Sequence, residues 1–326
     1  MSVIEVSGLV KRYGELEAVR GIDLLVEPGE VFGFLGPNGA GKTTTISILC
    51  TLLRPTAGEA RVAGIDVGRD PGAVRSRIGL VFQDPSLDDQ LTAYENLELH
   101  GRIYGVSGAL RRQRIAELLA VVELSDRASS LVRTFSGGMK RRLEIARGVL
   151  HHPQILFLDE PTLGLDPQTR KHIWDYLNEL RRREGVTLFM TTHYMDEAEF
   201  CDRIAIIDQG RIVALGTPTE LKDKIGGDVI TLQVSDVLAA AREVEQRFGI
   251  APLSVNGTLR IEVPDGASFL PRLVRELPIR IDSVSLSRPS LDDVFLKLTG
   301  HAIRAEGASD KDMMRNVGRM WRGGRR

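Results

Sequence analysis

The chain has 326 residues, more than one average domain, and its length predicts about two domains. Apolar residues make up 42% and charged residues 27% of the chain, a balance that supports a buried core and argues against a disordered protein. The 43 basic and 44 acidic residues leave a net charge of -1. This charge argues against a dedicated nucleic-acid binder, because such proteins usually carry a strong basic excess.

The two cysteines and the hydropathy pattern bear on the location of the protein. Cys50 and Cys201 are far apart in sequence and have no cysteine or histidine cluster around them, so neither a disulfide framework nor a zinc site is expected. No segment approaches the roughly 18 to 20 consecutive apolar residues that span a bilayer. The N-terminus shows no secretory signal. We therefore expect an intracellular protein that is soluble or peripheral and takes any membrane-spanning part from another chain.

Short apolar runs alternate with helical patterns in the first two thirds of the chain. Each run is typical of a buried parallel strand, so the alternation predicts an α/β fold. Helices are expected over residues 43–53 and 167–183, and an inserted helical lobe is expected over residues 88–135. The predicted strands cover residues 31–35, 78–82, 154–158, 186–190 and 203–207.

The pattern changes around residue 226. The order strand, helix, strand, strand, helix, strand predicts a ferredoxin-like α+β domain. Its hairpin is indicated by Asn256-Gly257 between two alternating runs, and its last strand has a break in alternation at Asp282-Ser283, which suggests a bulge. We therefore predict a first domain over residues 1–226, a second over 227–300 and a basic, flexible tail over 301–326.

A glycine-rich loop follows the first buried strand and precedes a helix. It matches the pattern G-x-x-x-x-G-K-[ST], in which backbone N–H groups wrap a phosphate and the helix dipole adds positive charge. The lysine is expected to reach the β- and γ-phosphates, and the first threonine to bind Mg²⁺. The predicted phosphate-binding residues are Gly36, Pro37, Asn38, Gly39, Ala40, Gly41, Lys42, Thr43 and Thr44.

Two carboxylates end the buried strand over residues 154–158. The carboxyl ends of strands in an open α/β sheet face the ligand crevice, so Asp159 and Glu160 are expected beside the phosphate loop. Asp159 is predicted to hold Mg²⁺, and Glu160 to orient and polarise the attacking water. Lys42, Glu160 and His193 together form the predicted catalytic set.

A second anion site is indicated by Ser136, Gly137 and Gly138 at the start of a helix. A nucleotide already held by residues 36–43 has no need of a second phosphate site from the same chain. At this point the sequence resembles the ATP-binding subunits of ABC transporters, whose signature motif is Leu-Ser-Gly-Gly-Gln. The resemblance implies that this motif closes over ATP bound to the opposite subunit of a homodimer.

The resemblance extends to four more positions in the expected order. It implies that Tyr13 stacks on adenine, that Gln83 belongs to a Q-loop that contacts nucleotide and metal, and that Asp166 lies in a D-loop. It also implies that His193 is the switch histidine that contacts the γ-phosphate. Together with the motifs above, these positions cover about residues 1–225.

One position departs from the common signature motif. Met139 stands where the family usually has glutamine, so an amide that could hold the turn or the phosphate is missing, while Ser136 and both glycines remain. The basic residues after Met139, and the segment 290–296 near the C-terminus, look like the daunorubicin-resistance subfamily. That resemblance implies a separate membrane permease as partner and export of hydrophobic compounds.

The sequence thus predicts a P-loop ATPase that powers an exporter from the cytoplasmic face of the membrane, with ATP and Mg²⁺ and without nucleic acid. The alternative is a soluble relative that acts on DNA or ribosomes. It is disfavoured because the chain has one ATPase cassette, no sustained heptads and no zinc ligands. A scaffold that binds ATP without turnover is disfavoured by Glu160 and His193.

The last predicted helix follows Pro289 and begins with the capping-box pair Ser290 and Asp293. Its apolar stripe must be buried somewhere, which leaves two interpretations. The C-terminal extension is either a passive lid on the ATPase core or a surface that docks against a second copy or the membrane subunit. We expect docking by the stripe Leu291, Val294, Phe295 and Leu298.

Overall fold

The computed structural model describes residues 2–84, 86–224, 227–255 and 257–300. The predicted basic tail, the predicted domain boundary at Gly226 and the turn residue Asn256 lie outside these ranges. Among the described residues, none of the helices has both the length and the apolar character needed to cross a membrane. The strands are β1 Ile4–Tyr13, β2 Leu16–Val26, β3 Val31–Leu35, β4 Ala57–Val62, β5 Ile65–Asp66, β6 Ile78–Val81, β7 Ile155–Asp159, β8 Thr187–Thr192, β9 Arg203–Asp208, β10 Arg211–Gly216, β11 Asp228–Val234, β12 Leu253–Val255, β13 Thr258–Val263 and β14 Ile281–Ser287.

The helices lie mostly between the strands of the first part of the chain, as the alternating pattern predicts. They are α1 Lys42–Leu49, α2 Pro71–Arg75, α3 Ala93–Ile103, α4 Gly108–Val121, α5 Gly137–Val149, α6 Pro167–Glu184, α7 Met195–Ala198, α8 Pro218–Asp223, α9 Val237–Phe248, α10 Gly266–Glu276 and α11 Leu291–Thr299. Helix α1 ends four residues earlier than predicted, because Thr51 has a φ of 64° and cannot continue a right-handed helix.

A central sheet in the order β10-β9-β3-β8-β7-β6 carries the first part of the chain. The five strands from β9 to β6 are parallel, and β10 joins the edge in the antiparallel sense. This arrangement confirms the predicted α/β fold. Strands β3, β7 and β8 are buried along their whole length, which is why their sequences are continuously apolar rather than alternating.

Successive residues of the central strands point into two different hydrophobic cores. One core lies between this sheet, α1 and an antiparallel sheet in the order β2-β1-β4-β5. It is centred on Phe189, whose ring lies 5.5 Å from Phe32, 5.8 Å from Phe34 and 5.4 Å from Phe157 between centroids. The other core is covered by the helices α3 to α6. Helices α3 and α4 lie within the predicted lobe over residues 88–135.

The third sheet confirms the predicted ferredoxin-like arrangement. Its strands are antiparallel in the order β12-β13-β11-β14, with α9 and α10 packed on one face. Val255 pairs with Thr258 across the predicted hairpin. The register between β11 and β14 shifts because Gln233 pairs with Ser283 and Val234 with Ile281. The extra residue, Asp282, is the predicted bulge.

Helix α11 begins with the predicted capping box, but its apolar stripe is not a free docking surface. Leu291, Val294 and Phe295 are buried in the same core as the central sheet, and α11 contacts α7, α8 and β10. The expectation that this stripe docks onto another chain is therefore wrong for these three residues. Leu298, which is 41% exposed, is the member that stays at the surface.

Ion pairs join the opposite side of α11 to the third sheet. Asp293 bonds to Arg260, and Lys297 Nζ lies 2.5 Å from Glu262 Oε2, both partners being on β13. The helix thus lies between the ATPase-like core and the ferredoxin-like sheet, apolar towards one and charged towards the other. Its burial within the chain favours the lid interpretation of the extension.

Replacing Phe295 with alanine tests the placement of α11. The ring is fully buried, so the variant should lose about 3 to 5 kcal/mol of unfolding free energy. Leu298→Ala on the same helix is the control and should cost less than about 1 kcal/mol, because its side chain is largely exposed. Urea unfolding followed by fluorescence measures both. Equal small effects from the two variants would contradict the buried position of the stripe.

Candidate functional site

The candidate site lies at the carboxyl edge of the central sheet. The parallel register places Leu35 opposite Thr192, and Asp159 opposite Thr191, so the segments that follow β3, β7 and β8 leave the sheet side by side. The Gly36 N–H donates to the Thr192 carbonyl at 3.2 Å. The predicted phosphate loop, the two carboxylates and His193 are therefore brought together, as the crevice rule for α/β sheets predicts.

The phosphate loop needs glycine at two positions for physical reasons. Gly41 has a φ of 108°, and a Cβ there would lie 2.6 Å from the Ala18 carbonyl. A Cβ on Gly36 would lie 2.3 Å from the Ile207 carbonyl. The loop is thus pressed against β2 and β9, and α1 begins directly after it. The first N–H groups of a helix have no acceptor within the helix, so this end of α1 can receive an anion.

Besides these two glycines, the predicted set contains both buried and accessible residues. Ala40 and Lys42 are buried, Pro37 and Thr44 are half-buried, and the remaining members Asn38, Gly39 and Thr43 are exposed. Gly39 has a φ of 79°, which glycine adopts without strain. The predicted phosphate-binding set is therefore one continuous segment, the loop and the first turn of α1, with an open outer face.

Lys42 connects the loop to the carboxylates. Its ammonium donates to the Gly36 carbonyl at 2.7 Å and to the Pro37 carbonyl at 3.1 Å. It also lies 3.3 Å from Glu160 Oε1, and both side chains are buried. The Lys42 ammonium, which is predicted to bind phosphate, thus lies between the loop carbonyls and Glu160, the predicted base.

Asp159 is surrounded by hydroxyl groups. Thr191 Oγ1 donates to Asp159 Oδ1 at 2.5 Å, and Thr43 Oγ1 donates to the same oxygen at 3.4 Å. Burial raises the pKa of Asp159, partly offset by these hydroxyl donors and by Lys42. Thr191 is not among the site residues predicted from the sequence. The sequence feature that could have identified Thr191 is a threonine near the end of β8, the strand that pairs with the one ending in Asp159.

Glu160 adopts a backbone conformation that is rare for a residue with a side chain, with a φ of 46°. Its N–H donates to the Thr191 carbonyl at 3.2 Å and to Thr191 Oγ1 at 3.1 Å. Its Oε1 lies 3.2 Å from His193 Nδ1, in addition to the contact with Lys42. Burial would raise the pKa of Glu160, but His193 and Lys42 outweigh burial and lower it.

The segment after β8 is anchored by a buried carboxylate behind His193. Thr192 Oγ1 donates to Glu197 Oε2 at 2.5 Å, and the Tyr194 ring lies against His193 in a tilted arrangement with 4.1 Å between centroids. Burial raises the pKa of Glu197 to about 7. These contacts hold the imidazole of His193 against Glu160.

Three further predicted residues lie on other elements. Gln83 is half-buried and follows β6, whose Val81 pairs with Leu158, so it lies at the same sheet edge as the carboxylates. Asp166 caps α6 by accepting the Thr169 N–H at 3.0 Å. Tyr13 ends β1 with an exposed ring, and Lys11 Nζ lies 5.2 Å from its centroid.

The predicted signature motif forms the N-terminus of α5. Ser136 and Gly137 are exposed, and Ser136 Oγ accepts the Met139 N–H at 3.3 Å. A Cβ on Gly138 would lie 2.8 Å from Thr169 Cγ2, so this glycine permits close packing against α6. The missing glutamine amide at Met139 does not open the turn, because the backbone N–H of that residue makes the capping bond.

Two family models match this chain. The model for the ABC transporter family covers residues 19–163, and the model for the ATP-binding protein DrrA1-3-like, C-terminal domain covers residues 216–299. The first range includes the phosphate loop, the signature motif and both carboxylates. The second includes the ferredoxin-like sheet and α11.

Individual proteins give the same result. The daunorubicin/doxorubicin resistance ATP-binding protein DrrA of Streptomyces peucetius is 47% identical over 91% of this chain and 92% of its own. The Nod factor export ATP-binding protein I of Paraburkholderia xenovorans is 42% identical over 93% of this chain and 99% of its own. The dimeric ATP-binding cassette MJ0796, solved in a post-hydrolysis state with ADP and Pi, is 31% identical with a TM-score of 0.60, over 66% of this chain and 98% of its own. This chain therefore belongs to the family of ABC transporter ATP-binding proteins and carries a DrrA-like C-terminal domain.

Proposed function

We propose that this chain hydrolyses ATP to power a membrane exporter of hydrophobic compounds such as drugs or antibiotics. The observation that carries this proposal is the position of Glu160. Its buried carboxylate lies 3.3 Å from Lys42 Nζ and 3.2 Å from His193 Nδ1, beside a loop built to hold phosphate. A lowered pKa keeps this carboxylate ionised, as a water-orienting base requires.

The relatives support export. The Streptomyces peucetius protein is named for resistance to daunorubicin and doxorubicin, and the Paraburkholderia xenovorans protein for Nod factor export. Both similarities run through the ferredoxin-like sheet as well as the ATPase core. The alternative of an ATPase that acts on DNA or ribosomes receives no support from these names.

Each site residue takes the role that its surroundings allow. Residues 36–44 bind the phosphates through backbone N–H groups and Lys42, while Tyr13 stacks on the adenine. Glu160 orients and polarises the attacking water, and His193 contacts the γ-phosphate. Gln83 and Asp166 border the nucleotide from the neighbouring loops.

The residues beside the phosphate loop fit Mg²⁺, which prefers oxygen ligands. Thr43 Oγ1 and Asp159 Oδ1 lie 3.4 Å apart, and Thr191 orients the same carboxylate. We assign Thr43, Asp159 and Gln83 to the metal. When bound, Mg²⁺ supplies positive charge that neutralises the phosphate oxygens.

The active form is proposed to be a homodimer attached to a separate integral membrane permease. Ser136 and Gly137 are exposed at the start of a 13-residue helix, so their hydroxyl and N–H groups are available to ATP on the other copy. The dimeric state named for the MJ0796 cassette supports this pairing. The permease would place the chain at the cytoplasmic face of the membrane.

Glu160→Gln is expected to bind ATP but to hydrolyse it at least about 100-fold more slowly, since the water-polarising charge is lost. The change also removes a negative charge near the triphosphate. A stable ATP-dependent dimer should therefore appear by size exclusion. A variant that stays monomeric in saturating ATP would contradict the sandwich arrangement.

Lys42→Ala should lose about 100-fold or more of the ATPase rate, because the ammonium that stabilises phosphate charge is removed. Ser136→Arg should lose about 100-fold or more as well, because the larger side chain blocks access of this motif to the phosphates. Ser136→Arg should still bind ATP as a monomer, since Ser136 serves the opposite site.

Mixing these two inactive variants tests the exchange of residues between copies. A heterodimer has one site with both changes and one site with neither, so ATPase activity should return in the mixture. Absence of recovery in a heterodimer proven by tag capture would show that Ser136 acts within its own chain.

A further inference from the structure

Arg141 is a buried arginine in α5 that the proposed reaction does not yet use. Its side chain is 6% exposed. Nε donates to the Pro161 carbonyl at 2.5 Å, and Nη2 donates to the carbonyls of Asp159 at 3.2 Å and Glu160 at 3.1 Å. Three consecutive carbonyls of the segment that carries the carboxylates are thus held by one guanidinium group.

The same side chain reaches the segment that contains Gln83. Nη1 donates to the Phe82 carbonyl, directly before Gln83, and to Glu144 Oε2 at 3.2 Å. Phe82 follows β6 and Glu144 belongs to α5 itself. Arg141 therefore joins the end of β7, the end of β6 and the helix that begins at the signature motif.

Helix α5 holds the far side of the Gln83 segment through two other residues. Glu144 is fully buried and accepts the Ser86 N–H at 2.6 Å. Arg147 donates to the Ser86 carbonyl at 2.7 Å. Phe82 and Ser86, which stand on either side of Gln83 in the chain, are thus both bonded to α5.

We propose that Arg141 is a positioning residue for Glu160 and joins it mechanically to Gln83 and the signature helix. A residue with a side chain keeps a φ of 46° only where its surroundings hold it there. Arg141 bonds to the carbonyl of Glu160 and leaves the carboxylate to Lys42 and His193. It therefore fixes the direction of the base without neutralising it.

Only arginine fits this task. The guanidinium group presents five donors in one rigid plane, and here they serve four carbonyls and a carboxylate at once. A lysine would keep the charge opposite Glu144 but has three donors on a single nitrogen. Arg141→Lys thus separates the geometry of the clamp from the charge of the ion pair.

The inference rests on the proposed role of Glu160, and Arg141→Lys in the full chain tests it. We expect kcat for ATP hydrolysis to fall at least about tenfold while KM for ATP changes less than about twofold, the pattern of a group that acts on the transition state. The matched control is Arg114→Lys. Arg114 is 5% exposed and bonds to Glu184 and the Val149 carbonyl, away from the carboxylates.

Comparing kcat between Arg114→Lys and Arg141→Lys shows whether the loss of activity is specific to Arg141. Arg114→Lys should leave kcat within about twofold, since it removes a similar buried contact elsewhere. An equal loss of kcat in both variants, or a parallel loss of ATP binding in Arg141→Lys, would overturn the proposal. So would a collapse of the fold in Arg141→Lys that Arg114→Lys does not show, because Arg141 would then be structural only.

A double-mutant cycle separates this proposal from the role of Glu160 itself. Single-turnover hydrolysis of radiolabelled ATP is measured for wild type, Arg141→Lys, Glu160→Gln and the double variant. If Arg141 acts through Glu160, adding Arg141→Lys to the Glu160→Gln chain should slow ATP hydrolysis less than about twofold further. An equal fold-loss in both backgrounds contradicts the inference. Full activity of Glu160→Gln would instead overturn the role assigned to Glu160, and with it the inference.

Discussion

Two adjacent carboxylates are buried at the end of β7, and the rest of the site follows from the need to stabilise them. A buried ionised carboxylate is costly unless cations or hydrogen-bond donors surround it. Glu160 has Lys42 and His193 within 3.3 Å. Asp159 accepts two threonine hydroxyls, and Arg141 binds the carbonyls of both residues. The phosphate loop, β8 and α5 each contribute one part of this shell.

The two carboxylates differ in their surroundings, and this difference fits the separate roles proposed for them. Hydroxyl groups around Asp159 do not overcome burial, so its pKa is raised, and a divalent cation would favour its ionised form. The cations beside Glu160 overcome burial, so its pKa is lowered and it stays ionised before any ligand arrives. Asp159, the proposed metal ligand, and Glu160, the proposed water-orienting base, are thus neighbours in sequence whose surroundings shift their pKa values in opposite directions.

Local patterns made much of the fold predictable. Continuous apolar runs indicated the buried strands, the glycine spacing indicated the phosphate loop, and the slip in alternation at Asp282 indicated a bulge that the register between β11 and β14 confirms. The contacts of Arg141 were not predictable, because its partners Phe82 and Glu160 lie far away in the chain and the pairing depends on the sheet order. The stripe of α11 illustrates the same limit. Its spacing showed that Phe295 is buried, but not that the partner is the same chain.

In the proposed homodimer, this carboxylate pair works in a site completed by a second copy. Cysteine cross-linking measures this directly, because Cys50 and Cys201 are buried. Asn38→Cys and Gly137→Cys, each in a Glu160→Gln chain with its own tag, are mixed and treated with a short bismaleimide. Both positions are exposed, and a side chain at Gly137 meets open space. We expect a cross-link between the two different variants that forms only with ATP. A cross-link that ignores ATP, or one that joins only identical variants, would contradict it.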